Sequence, residues 1–132
     1  MSTTPVALVT GASGDIGAAI AKILGNNGWH VIGTYVGAAD AAAATVAAVI
    51  DTGGSAEAMQ LDQRDPAAID AIIAAIDENH GRLDVLINNA AWNIGIPFRR
   101  LEDLDADIWD RVLETNLRAP FLLARAAADL LK

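Results

Sequence analysis

At 132 residues the chain has the length of one domain, enough to bury about two thirds of the surface its unfolded form exposes. It is 53% hydrophobic with a formal net charge of −8, which disfavours a nucleic-acid backbone as partner because phosphate recognition wants clustered Lys and Arg. The absence of cysteine excludes disulfides, thiolate catalysis and cysteine-ligated metals.

Residues 1–20 have no basic start, and the glycines interrupt the one early apolar run. No signal peptide or membrane-spanning stretch is visible, so a cytoplasmic protein without membrane partners is expected. Val6-Ala7-Leu8-Val9 reads as a short strand, apolar on both faces as parallel-sheet strands are. Thr10-Gly11-Ala12-Ser13-Gly14-Asp15-Ile16-Gly17 follows it and opens a helix in which Ile16, Ile20, Ile23 and Leu24 recur at helical spacing. Such a glycine-rich strand-to-helix turn suits a dinucleotide pyrophosphate. Gly11 permits the tight turn, Gly14 lets backbone N–H groups approach the phosphates, and Gly17 lets the helix lie close to the sheet. The helix N-terminus adds unpaired donors and partial positive charge. The alternatives are a purely structural glycine turn or a phosphate site of some other type.

Trp29 to Tyr35 reads as a second strand, and Ala38 to Ile50 as an alanine-rich helix with Val46, Val49 and Ile50 on one side. Ala56 to Leu61 is the third strand. Asp65-Pro66 then starts a helix with an N-cap acid and a first-turn proline, whose inward stripe is Ile69, Ile72, Ile73 and Ile76. Leu83 to Ile87 is the fourth strand, followed by a loop with Gly95 and Pro97 and two helices, Asp105–Thr115 and Ala119–Leu131. The alternation predicts one α/β domain over 1–132, a Rossmann-type doubly wound parallel sheet of about four strands in the order 3-2-1-4 with helices on both faces.

His30 and His80 have no matched carboxylate in the sequence pattern, so no metal site is expected. His30 reads as a partly exposed strand residue and His80 as a helix C-terminus. Asp62 suits either a strand-end Asx turn or a ligand contact. Asn88 and Asn89 suit either strand-end backbone groups or a ligand, and Asn116 could cap the segment before Pro120.

Four features together resemble the short-chain dehydrogenase/reductase family, matching its N-terminal half across essentially the whole chain. They are the glycine turn at 10–17, Leu61-Asp62 closing the third strand, Asn88-Asn89-Ala90 after the fourth, and Asn116 within Thr115-Asn116-Leu117. The resemblance implies NAD(P) as cofactor and a small carbonyl or alcohol substrate in a full-length form. Gly11, Gly14 and Gly17 would line the pyrophosphate, with Ser13 and Ile16 beside it. Asp62 would accept a hydrogen bond from the adenine amino group. Asn89 and Ala90 would lie near the nicotinamide-side ribose, and Asn116 would hold the helix kink and water of the family's proton relay. The last helix, which helps form the family's dimer, would allow self-association.

Two departures from the compact branch stand out. Asp15 takes the middle-glycine position of Gly-x-x-x-Gly-x-Gly, so Gly11-x-x-Gly14-x-x-Gly17 is similar to the extended branch, while Asn88-Asn89-Ala90 and Asn116 are similar to the compact one. The latter pair prevails. Ala91 replaces the glycine after Asn-Asn-Ala. The acid that selects NAD at the end of the second strand is Tyr35 here, a slight lean to NADP, although no Arg or Lys stands nearby in sequence. Of the family's Asn-Ser-Tyr-Lys set only Asn116 is present. The single tyrosine, Tyr35, is followed four residues on by Ala39, the lysines are Lys22 and Lys132, and Ser2, Ser13 and Ser55 all precede the fourth strand. The chain alone is therefore expected to bind dinucleotide without catalysing hydride transfer, the alternative being a dimerising, non-catalytic subunit truncated relative to the family.

Overall fold

In a computed structural model that describes residues 3–132, β1 (Val6–Val9), β2 (His30–Tyr35), β3 (Ser55–Gln60) and β4 (Val85–Ile87) form one parallel sheet. The strand order is β3-β2-β1-β4, as the alternating pattern requires. All four residues of β1 are buried, because this strand lies inside the sheet with helices on both faces. Helices α1 (Asp15–Asn26) and α2 (Ala39–Asp51) cover one face through Val9, Val31 and Val49. Helices α3 (Pro66–His80) and α5 (Ala119–Ala127) cover the other through Leu8, Ile32, Ile69, Ile76 and Leu123.

The four isoleucines of α3 face inward as their spacing predicts. Asp65 caps this helix by accepting from Ala67 N at 3.0 Å, and Gly81 ends it in a left-handed conformation. Helix α1 behaves differently. Its buried residues are Gly17, Ala21 and Gly25, while Ile16 and Ile23 are 70% and 63% exposed. The expected stripe holds in part: Ile20 and Leu24 are half-buried and pack against the core, whereas Ile16 and Ile23 point outward and the closest approach of helix to sheet is made by small residues. A Cβ on Gly17 would stand 2.2 Å from Gly11 O, and one on Gly25 would meet Val49 Cγ1 at 2.4 Å. Ile50 of α2 is likewise exposed. Gly14 is the N-cap of α1, and Asp15 is its first helical residue.

The loop after β4 contains a 3₁₀ segment, Phe98–Asp103. Beyond it, α4 (Ala106–Leu113) and α5 are joined by a π-helical turn, Glu114–Arg118, so the two expected helices are one interrupted rod. Pro120 explains the interruption: it lacks an N–H, and its ring would clash with the carbonyl four residues back. The widened turn relieves that clash, with Ala119 N–H donating to Glu114 O. Among the described residues no helix is long and apolar enough to cross a membrane.

At the sheet's starting edge Asp84 ties β1 to β4. Its carboxylate accepts from Val6 N at 2.9 Å and from Arg82 Nε at 2.8 Å. The Arg82 side chain first, then the Val6 amide, hold this carboxyl below its ordinary value of 3.8. A depressed folded-state pKa adds stability that is present above the unfolded value and lost as pH falls through the folded one. Urea midpoints measured down to pH 3 should therefore fall more shallowly with acid in Asp84→Asn than in the parent, with the variant less stable at neutral pH.

Candidate functional site

The glycine turn sits where β1 ends, held on three sides. Thr10, fully buried, accepts through Oγ1 from the backbone N–H groups of Asn89 at 3.0 Å and Ala90 at 2.9 Å. Asn89 Nδ2 donates to Thr10 O at 3.0 Å. From β2, Thr34 O accepts from Ala12 N at 2.9 Å, and from α2, Thr45 Oγ1 donates to Ala12 O at 2.9 Å. Gly11 has a φ of +70°, which a side chain would strain, and a Cβ there would also press on Ala90 Cα at 3.0 Å. Gly14 differs, because nothing lies closer than 3.6 Å to a Cβ there. Packing within the chain does not demand glycine at that position.

The turn borders an open cleft of about 690 Å³ along the C-terminal ends of the strands, within the range of small-ligand sites. It lies where open α/β sheets bind ligands, at the switch of strand order beside β1. Gly11, Ser13, Gly14, Asp15, Ile16 and Gly17 line one wall. Tyr35 and Asp62 border it from the ends of β2 and β3, and Asn89, Ala90 and Ala91 from beyond β4. Every residue assigned from sequence to cofactor binding thus meets at this cleft. Asn116 is not in its lining; it clamps the neighbouring loop instead. Its Nδ2 donates to Trp92 O and its Oδ1 accepts from Trp92 N, both at 2.8 Å, so it does not cap the following helix.

Of the two readings the sequence left open for Asp62, the Asx turn is formed. Its Oδ1 accepts from Arg64 N at 3.1 Å, an Asx turn, while its carboxylate also borders the cleft. Partial burial alone would raise this carboxyl, but the Arg64 side-chain and backbone hydrogen bonds and the charges of Arg64 and Arg111 outweigh it and hold it below the usual carboxylate range. Asp62 is therefore an anionic, acceptor-only group.

Three lining residues escaped sequence reasoning. Arg64 and Arg111 bring positive charge to the same cleft as Tyr35, although neither is near it in sequence, and the Arg111 guanidinium sits 3.9 Å over the Trp92 ring. Gln63, 5% exposed, donates to Thr115 O at 2.7 Å. That carbonyl lacks its helical donor because Ala119 N–H has shifted to Glu114 O. Only the proline at 120 hinted at this need.

The chain matches the short chain dehydrogenase family model over residues 5–132. It belongs to the short-chain dehydrogenase family. It is 38% identical over 122 residues to a versicolorin reductase of Emericella nidulans, covering 92% of this chain and 45% of that protein. Among solved structures, a metagenomic short-chain oxidoreductase in complex with NADP shares 38% identity at a TM-score of 0.89, with 96% of this chain and 56% of the other covered. A short chain dehydrogenase from Burkholderia cenocepacia J2315, also in complex with NADP, is 40% identical with a TM-score of 0.88 over 96% of this chain and 51% of its own. This short-chain dehydrogenase sequence spans about half the length of the relatives it matches.

The tie between Gln63 and the π turn is buried, so truncating it strands a carbonyl away from water. Gln63→Leu should lower stability by about 1–3 kcal/mol, read as a reduced urea midpoint at unchanged m-value. Asn116→Ala should cost less, because Asn116 is exposed and water replaces its partners.

Proposed function

We propose that residues 1–132 are the dinucleotide-binding part of a short-chain oxidoreductase, which transfers hydride between NAD(P)(H) and a carbonyl or alcohol substrate. The observation that carries this reading is the convergence of the glycine turn, Asp62 and Asn89–Ala91 on one cleft at the switch point of the sheet. Bound there, the nicotinamide would supply or take up the hydride. The chain's own residues do the holding. First-turn N–H groups of α1, which have no intrahelical acceptor, face the diphosphate together with the partial positive charge of the helix end. Gly14 keeps the backbone bare on the cleft side, a requirement that a ligand imposes and packing does not.

The anionic Asp62 accepts from the adenine amino group, and Asn89, Ala90 and Ala91 border the nicotinamide-side ribose. Asn116 fixes the Trp92 segment that would carry the relay of a complete site. NADP is preferred over NAD. Tyr35 presents no carboxylate to repel a 2′-phosphate, Arg64 and Arg111 line the cleft, and two similar structures hold NADP. These residues alone turn over no substrate, because the one tyrosine has no lysine four residues on.

Calorimetric titration of the chain with NADP tests the reading. Saturable one-to-one binding is expected, with a larger affinity for NADP than for NAD. Gly14→Val should abolish it while leaving the circular dichroism spectrum and Tm near those of the parent. Asp15→Asn should strengthen it a few-fold, because Asp15 places an exposed carboxylate beside the diphosphate wall. Absence of binding in the folded parent would contradict the proposal.

We also infer self-association through the last helix. Leu113, Leu117 and Phe121, four residues apart along the rod, are 40%, 68% and 61% exposed and form an unpaired apolar stripe. Analytical ultracentrifugation should find dimers that Phe121→Asp converts to monomers; a monomeric parent would refute it.

A further inference from the structure

The far end of the sheet carries an unassigned cluster. His30 is the first residue of β2 and stands in register with Ser55, the first of β3. Glu57 lies two residues on, so its side chain shares the Ser55 face. His80 is the last residue of α3, held by the Gly81 C-cap whose N–H donates to Asp77 O at 2.8 Å. The strands are parallel, and these residues mark the ends at which β2 and β3 begin, opposite the glycine turn. The premise that the two histidines have no matched carboxylate is therefore corrected. Register pairing and helix packing bring Glu57 to both, a relation that spacings of 27 and 23 residues do not reveal.

We propose that His30, Glu57 and His80 form a binding site for a divalent late transition metal, zinc in the first instance. Glu57 Oε2 lies 3.1 Å from His30 Nε2 and 3.4 Å from His80 Nε2. Tetrahedral zinc, with ligands at about 2.0–2.2 Å, places neighbouring ligand atoms about 3.3–3.5 Å apart. All three ligand atoms fall within 4.8 Å of one another, so side-chain rotation alone closes the set. His80 Nε2 is buried and, beyond its 3.4 Å approach to Glu57 Oε2, makes no hydrogen bond among the described residues, a place that metal ligation fills.

The imidazoles lie 4.8 Å apart between centroids, and imidazole ligates such a metal through a ring nitrogen lone pair. The outer contact also fits. His30 Nδ1 lies 2.8 Å from Ser55 Oγ, so an Nδ1–H donated there leaves Nε2 free to ligate. A recess bordered by Thr4, Val6 and Ser55 leaves room for water as the fourth ligand. Two imidazoles and one carboxylate suit zinc or its neighbours better than magnesium or calcium, which prefer oxygen.

Such a site would staple α3 to the edge of the sheet and has no part in the dinucleotide cleft. Metal-stripped chain titrated calorimetrically with zinc chloride should take up one equivalent, and saturating zinc should raise Tm, because the ion binds only the folded arrangement. Glu57→Gln and His80→Gln should each lower affinity at least tenfold, and Ser55→Ala about tenfold, as outer-sphere partners do. Glu78→Gln, a change to a nearby carboxylate outside the cluster, should leave affinity unchanged. His80 ends a helix, so its replacement is checked by circular dichroism, and Glu57→Gln provides the second, near-isosteric arm. No saturable uptake by the parent would overturn the proposal and leave the cluster a His–Glu ion pair. Uptake undiminished in both Glu57→Gln and His80→Gln would overturn it equally.

Discussion

The fold turns on the absence of one methyl group. Gly17 packs so closely on the carbonyl of Gly11 that a Cβ would sit 2.2 Å from the oxygen and 2.8 Å from Asn89 Nδ2. That approach lets α1 begin directly over the end of β1 and aims its free N–H groups into the cleft. It also brings Asn89 within reach of Thr10, so β1, α1 and the segment after β4 are joined at a single knot. Thr34 and Thr45 attach β2 and α2 to the same turn. Binding geometry and core packing are thus one feature, since the contacts that fix the sheet's order also rigidify the wall of the cleft.

This closeness sets the character of the whole α1 interface. Only Gly17, Ala21 and Gly25 of α1 are fully buried; Ile20 and Leu24 pack half-buried against the core, and Ile16 and Ile23 turn outward. Ile16 gains a place on the cleft wall in this way. Ile23 is left in solvent. On the opposite face α3 packs with four buried isoleucines. The two helices thus bury different residues, small ones on α1 and branched ones on α3.

The sequence made β1, the glycine turn and the α3 stripe legible, because each rests on local periodicity or turn chemistry. Residues of the cleft were legible for a related reason: they follow strand ends, and strand ends converge in a parallel sheet. What the sequence concealed depends on pairing at a distance. The stripe of α1 is right for Ile20 and Leu24 and wrong for Ile16 and Ile23, because periodicity reports amphipathicity without reporting how near the sheet lies. The π turn follows from Pro120 only once the helix is known to continue through it. Gln63 has a reason only when Thr115 O loses its helical donor. Glu57 joins His30 and His80 only through the register of β2 with β3 and the docking of α3.

Amide chemical-shift mapping of the labelled chain during titration with NADP tests the central claim most directly. The account predicts that the largest perturbations trace Gly11–Gly17, Tyr35–Ala38, Asp62–Arg64 and Asn89–Ala91, with the far end of the sheet around His30 and His80 unmoved. Saturable shifts centred away from the glycine turn, or none at millimolar nucleotide, would contradict it.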